Sequence, residues 1–282
     1  MSAIRVGLVQ LSCGRSPAAN LVETERLVRE AAALGAVYVQ TPETTNIMEH
    51  EGDKLFAALT DEASDITLAR LRAVAAELGI WLHIGSLGIK VAPEMAANRA
   101  FVIAPDGAIA ARYDKIHLFD VDLAGGESYR ESKRIRPGTR AVTVDLPFGR
   151  LGLAICYDLR FPHLFRALAH AGATVLSLPA AFTRKTGAMH WEVLLRARAI
   201  ENGAYVLAAA QSGLHENGRE TWGHSMVVAP DGTVVAVAAD GPGVVTADID
   251  PAAVAAFRAA IPSLRHDRAF ALPAGAATEV AT

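Results

Sequence analysis

The chain has 282 residues, is 51% hydrophobic and 20% charged, and carries a formal net charge of −3, so it has ample apolar material for a large core. The lack of a basic stripe excludes a nucleic-acid footprint, two cysteines exclude a disulfide framework, and no run approaches eighteen uncharged apolar residues, which excludes a membrane-spanning helix. These features predict a soluble, cytoplasmic protein with one domain over residues 1–272 and a flexible tail at 273–282.

Residues 4–10 alternate as a strand and lack the long apolar core of a signal peptide. Residues 20–34 then place Leu21, Leu27, Val28 and Ala31 at helical spacing and stop at Gly35. The alternation repeats: a short apolar strand at 36–40, an amphipathic helix at 66–78 closed by Gly79, and a strand at 80–87. Segments 98–104 and 108–113 flank Pro105-Asp106-Gly107 as a hairpin. Gly125-Gly126 reads as a turn and Lys133-Arg134-Ile135-Arg136 as a solvated basic loop. Further strands are predicted at 174–178, 205–210, 225–229, 234–237 and 244–249, with helices at 189–202 and 252–260. Mixed βαβ and hairpin units predict a layered α/β fold whose topology the pattern leaves open.

Cys156 stands where the apolar run Gly152-Leu153-Ala154-Ile155 meets Tyr157-Asp158-Leu159-Arg160-Phe161-Pro162, so a potential nucleophile lies at a strand end. Taken alone it fits a buried structural cysteine better. A working thiol needs a base and a group that stabilises an oxyanion. Glu43, in Tyr38-Val39-Gln40-Thr41-Pro42-Glu43, follows a buried strand, and shielding there predicts a raised pKa suited to proton transfer. Lys115, in Tyr113-Asp114-Lys115-Ile116-His117-Leu118-Phe119, ends a strand and is a candidate cation, its plain alternative being a surface pair with Asp114. Glu131 is a fourth candidate, for orienting the lysine or the substrate, not separable by composition from Glu127. Nine histidines show no metal-ligand spacing, and no phosphate-binding glycine loop occurs, so no metal or other cofactor is expected.

In these motifs the chain resembles the nitrilase superfamily of carbon–nitrogen hydrolases, over nearly its whole length. The resemblance implies a Glu-Lys-Cys triad at Glu43, Lys115 and Cys156, with the additional glutamate of many members at Glu131. It also implies an α-β-β-α sandwich, assembled as a homodimer or higher homo-oligomer, and an amidase that forms a thioester on Cys156 and releases ammonia. In the implied reaction the backbone N–H of Tyr157 joins Lys115 at the oxyanion.

The wording of Ala180-Ala181-Phe182-Thr183-Arg184-Lys185-Thr186-Gly187-Ala188-Met189-His190-Trp191-Glu192 and of Trp222-Gly223-His224-Ser225 resembles the branch of deaminated glutathione amidases and ω-amidases, nearer the former. That implies a small carboxylate-bearing amide, with Tyr157, Arg160, Thr183, Arg184, Thr186 and His190 as substrate-binding candidates; Arg184 and Lys185 are the carboxylate partners by charge. Two departures stand out: His163 follows the proline where relatives often carry an acid, and Thr41 replaces a leucine before Pro42-Glu43. Nitrile or N-carbamoyl amine hydrolysis and a non-enzymatic interaction protein are the alternative functions.

Overall fold

The computed structural model describes residues 3–123, 126 and 128–271; the expected tail at 273–282, the turn residue Gly125, and Glu127 lie outside them. The first half of the chain forms β1 (Ile4–Gln10), α1 (Pro17–Ala33), β2 (Tyr38–Gln40), α2 (Gly52–Ala58), α3 (Ile66–Leu78), β3 (Trp81–Ala92), β4 (Met95–Ile103) and β5 (Ile109–Asp114). The second forms β6 (Thr143–Leu146), β7 (Gly149–Leu153), α4 (Pro162–His170), β8 (Val175–Ser177), α5 (Arg184–Asn202), β9 (Tyr205–Ala208), β10 (Met226–Val228) and β11 (Val234–Val237). It ends in β12 (Gly243–Ile249) and α6 (Pro251–Ala260).

Two six-stranded sheets result, in the orders β12-β1-β2-β3-β4-β5 and β11-β10-β9-β8-β7-β6. Each has a parallel trio, β1-β2-β3 or β7-β8-β9, with an antiparallel hairpin on one flank and a single antiparallel strand on the other. The two-residue period of β1 divides its side chains: Val6 and Leu8 face the second sheet in one core with Leu151, Leu153, Leu176 and Val206, while Val9 joins Leu27 and Val28 of α1 and Leu71 and Val74 of α3. Helix α4 covers β7 and α5 covers β9, completing an α-β-β-α sandwich. Strands buried on both faces read as apolar runs, which is why the sequence marks them so plainly.

Local signals set most helix ends. Asp65 accepts a hydrogen bond from Leu68 N, and Gly79 takes the left-handed conformation at φ +64°, so α3 has the bounds its pattern predicts. Helix α1 starts three residues before its expected start because Ser16 caps it and Pro17 occupies its first position. Helix α5 starts five residues early, at Arg184, where Thr183 accepts from Thr186 N. Segment 162–170, to which the sequence pattern assigned no element, is a helix with Pro162 at its start. The basic segment is fastened beside β4, with Ala96 N donating to Arg134 O and Arg136 N to Ala96 O, while Lys133 and Arg136 are exposed as expected of a solvated loop. No helix among the described residues is long and apolar enough to cross a membrane.

Candidate active site

Strand ends from both sheets converge on a cavity of about 1010 Å³ lined by Glu43, Lys115, Glu131 and Cys156 among others. Glu43 follows β2 on a loop that its own threonines hold. Thr41 Oγ1 accepts from Gly85 N at 3.1 Å and shares a hydrogen bond with Thr45 Oγ1, and Thr44, at φ +54°, donates its N–H to Ser86 Oγ. The threonine that replaces leucine at position 41 is therefore a tie across the loop. Gln211, just beyond β9, donates its Nε2 to Glu43 O at 3.0 Å, fixing the glutamate's backbone as well.

The Glu43 carboxylate is fully engaged. Oε1 accepts from Lys115 Nζ at 2.8 Å and from Asn98 Nδ2 at 2.9 Å, and Oε2 accepts from Ala181 N at 2.9 Å. Lys115 is 2% exposed and also donates to Glu131 Oε2 at 2.9 Å, while Glu131 accepts from Phe119 N at 2.7 Å. Lys115 is thus no surface lysine: Asp114 pairs instead with Arg99 at 2.6 Å. Burial pushes the Glu43 carboxyl up, but the Lys115 charge and hydrogen bond, with help from the Cys156 thiol and Arg219, outweigh it and leave it below the ordinary value. The raised pKa expected from shielding alone is corrected by this ammonium. Burial also opposes the Lys115 charge, yet Glu131 and Glu43 hold that ammonium protonated above its ordinary range.

Cys156 opens a 3₁₀ turn, Cys156–Arg160, with φ +48°, a left-handed conformation that a side chain tolerates at a cost of about 1 kcal/mol or more. The turn is clamped. Cys156 N donates to Pro179 O, and the buried Asp158 accepts from Ile155 N at 2.8 Å, from Tyr113 OH at 2.7 Å and from His117 N at 3.0 Å. Segments before and after Lys115 therefore grip the turn that carries the thiol. Burial and the facing Glu43 carboxylate hold the Cys156 thiol well above its ordinary pKa, against the pull of Lys115, so the resting pair is a thiol beside a carboxylate. Cys13 is a different case. It is buried, bonded to Gln211 Nε2, and pushed up to about 12 by burial, which makes it a packing residue beneath the Glu43 loop.

The predicted binding residues divide. Tyr157, Thr183, Arg184 and Thr186 line the cavity; Arg160 and His190 do not. Arg160 lies 5.5 Å from the ring centre of Phe182 with its guanidinium 3.3 Å from His190 Nδ1, so these two support a wall residue from outside. Thr183 and Thr186 share a 2.8 Å hydrogen bond at the α5 cap, and Arg184 is paired with Glu220 at 2.7 Å on an exposed rim. His163 is exposed and packs edge-on against Phe161 and His117, away from the cavity. Asn98 and Arg219 escaped the sequence reading. An amide in the middle of an apolar strand was an available signal for Asn98; nothing in Glu216-Asn217-Gly218-Arg219 marks its arginine. Among the described residues no cluster of three or more His, Cys, Asp or Glu is placed to hold a metal ion.

Comparison with known proteins places this geometry. The family model for carbon-nitrogen hydrolase matches residues 5–259. Deaminated glutathione amidase of Yersinia enterocolitica is 38% identical over 272 residues, covering 95% of this chain and 94% of the relative. Omega-amidase NIT2 of Homo sapiens is 38% identical over 268 residues, covering 95% and 96%. Among solved structures, Nit3 of Saccharomyces cerevisiae, a member of branch 10 of the nitrilase superfamily, superposes with a TM-score of 0.82 at 30% identity, covering 92% of this chain and 94% of that one.

Proposed function

The chain belongs to the carbon–nitrogen hydrolases of the nitrilase superfamily, and from that premise we propose that Glu43, Lys115 and Cys156 perform the hydrolysis of a small carboxylate-bearing amide. The observation that carries this reading is the buried Lys115 shared between Glu43 and Glu131, with the Cys156 thiol brought to the same carboxylate from the opposite sheet.

Glu43 accepts the proton as Cys156 Sγ attacks the amide carbon. The oxyanion takes hydrogen bonds from Lys115 Nζ, which has three N–H donors, and from the Tyr157 N–H at the start of its 3₁₀ turn, where intrahelical partners are lacking. Glu43 returns the proton to the departing nitrogen as the C–N bond breaks and leaves a thioester on Cys156. Glu43 then takes a proton from water, the oxygen attacks the thioester, and the thiol is restored with that proton. Glu131 holds Lys115 in place through the cycle.

Deaminated glutathione stands first among substrates because relatives covering nearly all of this chain carry its name, and ω-amides of short keto acids stand second. The leaving group separates them. Deaminated glutathione has no primary amide, so its hydrolysis yields a new peptide amine, whereas an ω-amide yields ammonia; the ammonia release expected from sequence applies only to the second. The deciding assay therefore follows both products with deaminated glutathione, α-ketoglutaramate, a simple nitrile and an N-carbamoyl amine. Amides are expected to lead, and Cys156→Ala to reduce turnover by on the order of 10³-fold or more. Preference for the nitrile would overturn the amide reading, and full turnover in Cys156→Ala the mechanism. Homodimeric or higher assembly belongs to the same reading, supported by the exposed Met189, Val193 and Ile200 along α5. A cytoplasmic location is supported by two free thiols.

A further inference from the structure

Three of the cations around the cavity are already engaged by carboxylates. Lys115 is shared by Glu43 and Glu131, Arg130 pairs with Asp122, and Arg184 pairs with Glu220. Arg219, like Lys133 and Arg134, lines the cavity with no carboxylate within ion-pair distance among the described residues, and of these three it is the one bonded to Ala181 beside Glu43. Its Nη2 donates to Ala181 O at 2.5 Å, its guanidinium lies 5.5 Å from the ring centre of Tyr129, and its Nε is buried without a hydrogen-bond partner. The remaining nitrogen, Nη1, has no hydrogen-bond partner among the described residues, and an anion arriving in the cavity can pair with it.

Ala181 connects this cation to the reacting centre. Its N–H donates to Glu43 Oε2 at 2.9 Å and its carbonyl accepts from Arg219 at 2.5 Å, so with one residue of backbone between them the two side chains are at most about 9 Å apart. An acyl chain of four or five carbons, roughly 5 Å long, falls within this bound. Charge favours such a group: Glu43 and Glu131 outnumber Lys115 at the reacting centre, and a cation near the far end of an anionic amide offsets their repulsion.

We propose that Arg219 is the receptor for the substrate's carboxylate, binding the terminal carboxylate of the acyl chain and so selecting monoamides of dicarboxylic acids over neutral amides. This rests on the amidase reading above and moves the charge recognition expected at Arg184 to a deeper residue. Arg184 is 61% exposed and its partner Glu220 46%, so water screens what that rim contributes. The Tyr129 ring orients the guanidinium, and Ala181 ties the occupied receptor to the base.

The test compares glutaramate with its neutral counterpart pentanamide in the wild-type protein, Arg219→Met, Arg219→Lys and Arg184→Ala, and measures glutarate binding to Cys156→Ala with and without Arg219→Met. Arg219→Met is expected to raise KM for glutaramate about 10- to 100-fold, the scale of a charge-assisted hydrogen bond, with a loss at least tenfold smaller on pentanamide. Arg219→Lys should recover part of the preference, Arg184→Ala should keep most of it, and glutarate binding should fall in parallel with the Met variant. Equal losses on both amides would make Arg219 a prop for Ala181 and overturn the proposal, as would undiminished glutarate binding. A wild-type enzyme that hydrolyses amides without preferring glutaramate would sink the carboxylate reading itself; a preference that survives in Arg219→Met would sink only Arg219.

Discussion

Glu43 works in a setting that pulls it both ways: burial favours its neutral form, and a 2.8 Å contact with Lys115 favours its anion more. The sign has a kinetic consequence. A base whose pKa lies below the ordinary carboxylate value stays ionised through the weakly acidic range and is lost only as pH falls through that lowered value. The acid limb of kcat/KM for the free enzyme is therefore expected below pH 4.5, read in short assays before any unfolding. A limb near pH 6 or 7 would assign the titration to another group. At this scale the sequence was informative about identity and poor about environment. Glu43, Lys115, Cys156 and Glu131 stood in recognisable wording, but the direction of the Glu43 shift depends on a lysine 72 positions away. Arg184 drew notice as a basic residue beside a strand, whereas the unpaired state of Arg219 exists only once the 213–221 segment folds over Ala181.

Strand ends do the positioning, and one of them depends on a missing side chain. A Cβ added at Gly85 would lie 2.0 Å from Thr41 O and 2.4 Å from Pro179 Cβ, so β3 passes between the loop that carries Glu43 and the segment that receives the Cys156 N–H. Gly85→Ala should push these apart, destabilising the protein by about 1–3 kcal/mol and lowering kcat more than KM. Thermal unfolding and steady-state rates measure the two effects; a variant with both unchanged would mean that the contact is slack. Elements with complete local signals were legible: α3 has a cap, a period and a terminal glycine. Short ones divided: β2 and β8, of three residues each, still showed as apolar runs, whereas α4 hides behind a Phe161-Pro162 pair that reads as a turn. The sandwich itself came from family wording, because periodicity names elements without ordering them into sheets.

Across the whole molecule, a polar seam crosses the interface between the sheets. Tyr38 OH bonds Gln40 Oε1 and meets His83 Nδ1 at 3.0 Å, and Gln40 Nε2 reaches Leu207 O on the second sheet. Burial pushes His83 down to about 3 from 6.5. The unfolded chain therefore binds the extra proton first: this histidine's full stabilising effect is present above pH 6.5 and is lost as pH falls toward 3, by up to about 1.4 kcal/mol per pH unit. Unfolding temperatures measured from pH 7 to pH 4 should drop steeply, and less steeply in His83→Gln. Parallel curves would show that His83 does not set the acid limit. The same interface divides the reacting groups by origin. Glu43, Asn98 and Lys115 come from the first sheet and its loops, while Cys156, Ala181 and Gln211 come from the second. A chain emerging from synthesis thus carries its thiol separately from its proton acceptor, and Cys156 remains an ordinary cysteine until the halves dock. Folding itself acts as the arming step, and a molecule whose sheets have parted has lost its catalysis before it is unfolded.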